Sequence, residues 1–183
     1  MKSKLALIFT ILTVAFSSTG CSAEKTFKDK DAGYEMKYDG TVWKAGKNVE
    51  IEEEYGTYTY SAVFTSISKT EDGNPAATFK VLKEDLSDYD ITDDENMLDD
   101  IANKLSARLS DGIVTYQNAT IDGEKGYWIS ITPLDDEEES VTDLIFFVSD
   151  ESVYEFYYTA VGDENYSLYE EDVNYMLYYF SVS

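Results

Sequence analysis

The chain has 183 residues, with 37 Asp and Glu against 14 Lys and Arg and no histidine, for a net charge of −23. Such a surface repels nucleic-acid phosphates and anionic lipid head groups, which argues against a nucleic-acid partner and against membrane contact through the protein surface itself. The missing histidine excludes Ser–His and Cys–His nucleophile pairs, while 43% hydrophobic and 15% aromatic residues supply a core for one ordered domain.

Residues 1–20 read as an export signal. Lys2 and Lys4 form a basic start, Leu5 to Phe16 an uncharged stretch, and Ser17, Ser18, Thr19 and Gly20 a small-residue approach to Cys21, the single cysteine. The uncharged stretch is shorter than the ~20 residues that cross a bilayer. A lone thiol in an exported chain is exposed to unwanted pairing, so a modification site explains it better than a structural role. The segment resembles the signal peptide of bacterial lipoproteins, with Ser18 where that family usually has Leu. The resemblance implies cleavage between Gly20 and Cys21 and a diacylglycerol on the Cys21 thiol, with palmitate among the acyl groups. Each buried CH₂ contributes ~0.8 kcal/mol and two chains suffice for stable attachment, so the expected membrane partner is reached through lipid. The expected location is the extracytoplasmic face of a bacterial membrane. Plain secretion with cleavage after Ala23 is the competing reading.

Residues 21–32 are polar apart from Phe27 and are expected to be a flexible tether, leaving 33–183 as a single domain. Tyr34, Met36 and Tyr38 alternate as a strand, Asp39 and Gly40 turn, and strands follow over Val49 to Glu53 and Thr57 to Ile67. A turn at Glu71 to Pro75 leads to a strand through Ala77, Phe79 and Val81 that ends near Leu82. Thr92 and Glu95 form a capping box for a helix that carries Met97, Leu98, Ile101, Leu105 and Leu109 on one face and ends at Asp111 and Gly112. Hairpins follow over Ile113 to Ile131, turning at Asp122 and Gly123, and over Val141 to Val161, turning near Asp150 and Glu151. A final helix over Tyr166 to Phe180 carries Tyr169, Val173, Met176, Leu177 and Phe180 in one stripe.

The order of these elements is similar to that of the PsbP-like fold family. The residues that carry the likeness are Tyr34, Met36, Tyr38 and Trp43, the Ile121–Asp122–Gly123 turn, the strands of Phe146 and Tyr154, and Phe180 at the end of the last helix. Asp39 and Gly40 stand where the family often has Tyr-Pro. The resemblance implies an α+β fold, an antiparallel sheet of about six to eight strands covered by helices on its faces. Because one fold hosts many functions, the resemblance implies architecture more than activity, although few members are thought to be enzymes.

Three kinds of chemistry were open to these residues. Asp135, Asp136, Glu137, Glu138 and Glu139 are hard oxygen ligands of the sort calcium accepts, but the spaced ligands and central glycine of an EF-hand loop are missing. A solvated acidic loop is the favoured reading there, so no metal and no cofactor is expected. Carboxylates could hydrolyse cell-envelope glycans as an opposed pair, although nothing in the sequence marks two of them out. Tyrosines could form a binding surface for a protein or peptide. Strand alternation puts Tyr154, Phe156 and Tyr158 on one face and Tyr157 on the other, and helical spacing leaves Tyr175 and Tyr178 outside the stripe, so Tyr157, Tyr175 and Tyr178 are the candidates. Trp43 and Trp128 are expected to be packing residues. A lipid-anchored binding factor is thus the leading expectation, with a glycan hydrolase and a calcium-binding domain as alternatives.

The anchoring expectation predicts that wild-type chain incorporates radiolabelled palmitate and pellets with membranes, whereas Cys21→Ser takes up no label and stays in the soluble fraction. Equal fractionation of the two without label in either would contradict it.

Overall fold

A computed structural model describes residues 24–53, 56–91, 95–108, 112–133 and 140–183. Within it, ten strands and two helices follow in order: β1 Glu24–Asp29, β2 Tyr34–Asp39, β3 Trp43–Glu53, β4 Gly56–Ser66, β5 Ala77–Asp85, α1 Met97–Ser106, β6 Gly112–Ile121, β7 Glu124–Pro133, β8 Ser140–Ser149, β9 Ser152–Val161, α2 Gly162–Tyr178 and β10 Ser181–Val182. A single 3-10 turn at Leu86–Tyr89 follows β5. Seven strands form one antiparallel sheet in the order β3-β4-β5-β9-β8-β7-β6, and β1-β2-β10 form a small second sheet. The expected α+β architecture of six to eight strands with helices on its faces is the one observed.

Local chemistry explains the connections. Asp122 and Gly123 both hold positive φ, 51° and 85°, as a two-residue hairpin turn whose twist matches its strands requires. Asp150, at φ 53°, does the same work between β8 and β9. β9 lies at the centre of the large sheet and is buried along most of its length, because both sheet faces are covered. Tyr154, Phe156 and Tyr158 belong to a cluster beneath α2 and the small sheet, and Val153 and Tyr157 belong to a second cluster beneath α1.

Under α2, Phe180 forms the hub. Its ring lies 4.9 Å from Phe156, 5.0 Å from Tyr34, 5.7 Å from Phe147 and 5.7 Å from Tyr154. The chain leaves α2 at Tyr178, inserts Phe180, and pairs β10 with β2 through Ser181↔Glu35 and Val182↔Tyr34. That last strand escaped the sequence reading because two residues carry no periodicity.

The structure corrects the tether. Glu24–Asp29 pairs with β2 along its whole length, from Glu24↔Asp39 to Asp29↔Tyr34. Phe27 stacks on Tyr34 and meets Phe64 edge-on at 5.4 Å. Buried Asp29 accepts the N–H groups of Asp31 at 3.0 Å and Ala32 at 3.1 Å and pairs with Lys47 at 3.0 Å. One aromatic anchor and one capping carboxylate therefore bring a polar segment into the domain, which begins by residue 24 rather than 33.

Helix boundaries also shift. α1 ends at Ser106 rather than near Asp111, and α2 begins at Gly162, four residues before Tyr166. α1 begins at Met97, with Asn96 rather than the expected Thr92 in the N-cap position. Thr92, Leu109, the signal segment with Gly20 and Cys21, and the acidic run 135–139 lie outside the described residues. Among the described residues no helix is long and apolar enough to cross a membrane.

If β1 is part of the domain, Phe27→Ala should lower the unfolding free energy by ~1–3 kcal/mol in urea denaturation. A residue of a tether would leave the midpoint unchanged.

Candidate functional site

The fold gathers polar side chains at three places, one inside each face of the large sheet and one on the outer side of α2. The first surrounds Glu155, fully buried in the middle of β9 between Leu82 on β5 and Phe146 on β8. Tyr157 donates its hydroxyl to one Glu155 oxygen, and the Tyr89 hydroxyl sits between the other oxygen and Glu84 Oε2, 2.6 Å away. Arg108, the only arginine, reaches in from beyond the end of α1, with Nη1 2.9 Å from Glu84 and 3.8 Å from Glu155. Lys104 donates to the Tyr89 carbonyl and ties α1 to the 3-10 turn.

Burial in this apolar setting, reinforced by the negative Glu84, pushes the Glu155 carboxyl up to about 8. Burial also raises Glu84, but hydrogen bonds from Tyr89, Glu155 and Arg108 outweigh it and leave that carboxyl below its ordinary value. Burial thus favours the neutral form of Glu155, while Arg108 and the hydrogen bonds favour the charged form of Glu84. A buried charge without such a partner would be strongly destabilising. The pair lies beneath α1 among Leu82, Leu105, Phe146 and Val153.

Tyr157, expected on a binding surface, is part of this interior. It is 7% exposed, and its ring faces Lys80 Nζ at 5.4 Å, which also lies 4.6 Å from the Tyr60 ring and pairs with Glu53. The two faces of β9 are those that alternation predicts. The position is buried because both faces of the sheet are covered rather than one.

Asp143 on β8 marks the second place. It is 1% exposed, and its Oδ2 accepts both the Trp128 indole N–H, at 2.7 Å, and the Tyr166 hydroxyl. The carboxylate thus ties β7 to the start of α2, and Trp128 is a hydrogen-bond donor as well as a packing residue. Trp43 is buried and meets Tyr169 edge-on at 5.4 Å, as a packing residue should.

On the outer side of α2, Tyr175, Tyr179 and Tyr178 form a run, with ring separations of 4.7 Å and 4.9 Å. Tyr175 is half-buried and donates to Glu24 of β1, Lys37 of β2 lies over the Tyr179 ring at 4.8 Å, and Tyr178 is 72% exposed. Leu168, nearer the start of the helix, is also exposed. Of the three tyrosines singled out from the sequence, the structure therefore leaves Tyr178 on the surface, holds Tyr175 at its edge and buries Tyr157. Tyr179 joins the surface, and its place beside Tyr175 at i+4 was available in the sequence.

Elsewhere, a cavity of about 400 Å³ opens between the 3-10 turn and α1, lined by residues such as Asp85, Leu86, Asp90, Ile91, Met97 and Glu151. Among the described residues no three His, Cys, Asp or Glu side chains converge to hold a metal.

No family model matches the sequence, and no curated protein does. The structure is similar to the solution structure of cyanobacterial PsbP, CyanoP, from Synechocystis sp. PCC 6803, with a TM-score of 0.59 at 12% identity over 93% of this chain and 99% of that one. A crystal structure of a protein of unknown function from Pseudomonas aeruginosa aligns with a TM-score of 0.46 at 14% identity, over 70% of this chain and 92% of that one. The fold is PsbP-like.

The buried Glu155 carries a pH signature. Its folded pKa lies above the unfolded value, so the stability it contributes is fully present below the ordinary carboxylate range and is lost as pH rises toward about 8. Glu155→Gln should therefore gain stability relative to wild type as pH increases through that window, measured by urea denaturation at each pH. Parallel stability curves for the two proteins would contradict the assignment.

Proposed function

We propose that this PsbP-like domain is a non-catalytic binding or assembly factor, held on the extracytoplasmic face of a bacterial membrane by lipid on Cys21. The reading rests chiefly on the run of Tyr175, Tyr179 and Tyr178 along α2, where large aromatic side chains stay side by side at the surface of a chain otherwise rich in carboxylates. Tyrosine is favoured at protein interfaces because it offers broad apolar area with few rotors and a polar tip that can face water in the free state. Phe180 and the inward stripe of α2 fill the space above the sheet without these rings.

Charge supports the same reading. A chain of net charge −23 draws cationic or neutral partners and repels acidic ones, and such steering acts mainly on the association rate. Lipid attachment would confine the search for a partner to the membrane surface, raising its effective concentration. The resemblance to a fold whose members include accessory and binding factors points the same way.

The test is cross-linking in intact cells. Wild-type protein should yield a reproducible adduct whose recovery falls as salt rises, and Tyr178→Ala with Tyr179→Ala should abolish it. Because both residues are exposed, the double variant should keep its unfolding free energy, from urea denaturation, within about 0.5 kcal/mol of wild type. An adduct that survives the double substitution unchanged would contradict the reading.

A further inference from the structure

The two outer strands of the large sheet are built differently. β3, at one edge, carries Lys44, Lys47, Glu50, Glu52 and Glu53 and is broken by Asn48 in a left-handed conformation, φ 51°. Charges and irregular backbone are the devices by which sheets discourage pairing with a stray strand. β6, at the other edge, has neither. Its ten residues, Gly112–Ile121, include no charged side chain, no proline and no positive φ. Ile113 is 59% exposed and Tyr116 46% exposed, with Thr115, Gln117, Asn118 and Thr120 also at the surface.

The Asp122–Gly123 turn sets the phase of this edge. It closes on the Ile121↔Glu124 pair, so odd-numbered residues of β6 exchange hydrogen bonds with β7, and the N–H and C=O groups of Val114, Tyr116, Asn118 and Thr120 point away from the sheet. Among the described residues β6 has β7 as its one strand neighbour. The edge is also braced. Tyr116 donates to Ser106 at 3.1 Å and stacks edge-on against Tyr127, which in turn donates to Asp99 at 2.6 Å, so α1 braces both strands.

We propose that β6 accepts an extended segment of a partner protein as an eighth strand of the sheet, and that the segment carries lysine or arginine. Backbone bonding supplies the affinity in this mode, and side chains on alternate positions supply the selectivity. Charge chooses the occupant: Asp122, Glu124 and Asp99 adjoin the edge, with Lys125 opposite Thr120, in a chain of net charge −23. A second copy would instead bring two strongly negative molecules together. This surface is separate from the tyrosines of α2, although it rests on the same reading of the domain as a binding factor.

The full-length chain is tested in its host cell with the photocross-linker p-benzoylphenylalanine at Thr115 or Gln117, the cross-linked peptides being sequenced by mass spectrometry. Both positions should capture one basic segment of another protein, at points displaced by two residues. The yield should fall about tenfold in Asn118→Pro, which removes an outward N–H, and in Asn118→Lys, which meets the segment with like charge. Asn118→Ala should retain it, and urea midpoints should show that each variant is folded. The adduct should persist in Tyr178→Ala with Tyr179→Ala, which separates this edge from the surface of α2. No adduct, a peptide from a second copy of this chain, or an adduct undiminished by both Asn118→Pro and Asn118→Lys in folded protein would overturn the proposal.

Discussion

A chain with net charge −23 must be held together by apolar contact, and the contact on which this structure depends is the aromatic column around Phe180. Its ring touches Tyr34 of the small sheet and Tyr154, Phe156 and Phe147 of the large one, so a single side chain joins both sheets at the point where α2 ends. Aromatic pairs of this kind contribute ~0.5–1.5 kcal/mol each beyond the area they bury. Their geometry also decides the surface. With Phe180 fixed inward and the stripe of Tyr169, Val173 and Met176 over the sheet, Tyr178 is left facing solvent.

The opposite face is organised by polarity. Glu155, Glu84 and Arg108 occupy the space between β9 and the end of α1, and the Tyr89 and Tyr157 hydroxyls meet the carboxyl oxygens. Pairing these groups avoids the cost of leaving a buried charge or polar atom unsatisfied. With both sheet faces filled, what the described domain offers to another molecule is its outside: the tyrosines of α2, the uncharged edge of β6 and the acidic cavity beside the 3-10 turn.

Periodicity made most of this legible in the sequence. The alternation of Tyr34, Met36 and Tyr38, the Asp122–Gly123 turn and the stripe from Tyr169 to Phe180 each reappear in the described elements. What escaped depends on contacts distant along the chain. β1 is a strand because Phe27 and Asp29 find Phe64 and Lys47, and nothing within residues 24–32 announces those partners. Tyr157 is interior because a ten-residue helix, Tyr60 and Lys80 cover its face, which alternation along β9 cannot reveal. Glu155 was hidden among many carboxylates, although an acid between Tyr154 and Phe156 in so apolar a strand was a signal that could have been used.

Native-state hydrogen exchange in rising urea tests the role of the Phe180 column most directly. If it binds the small sheet and α2 to the large sheet as one cooperative unit, the slow amides of β2, α2 and β9 will converge on one opening free energy. Exchange of β2 and α2 through a separate opening of much lower free energy, with β9 still protected, would contradict it.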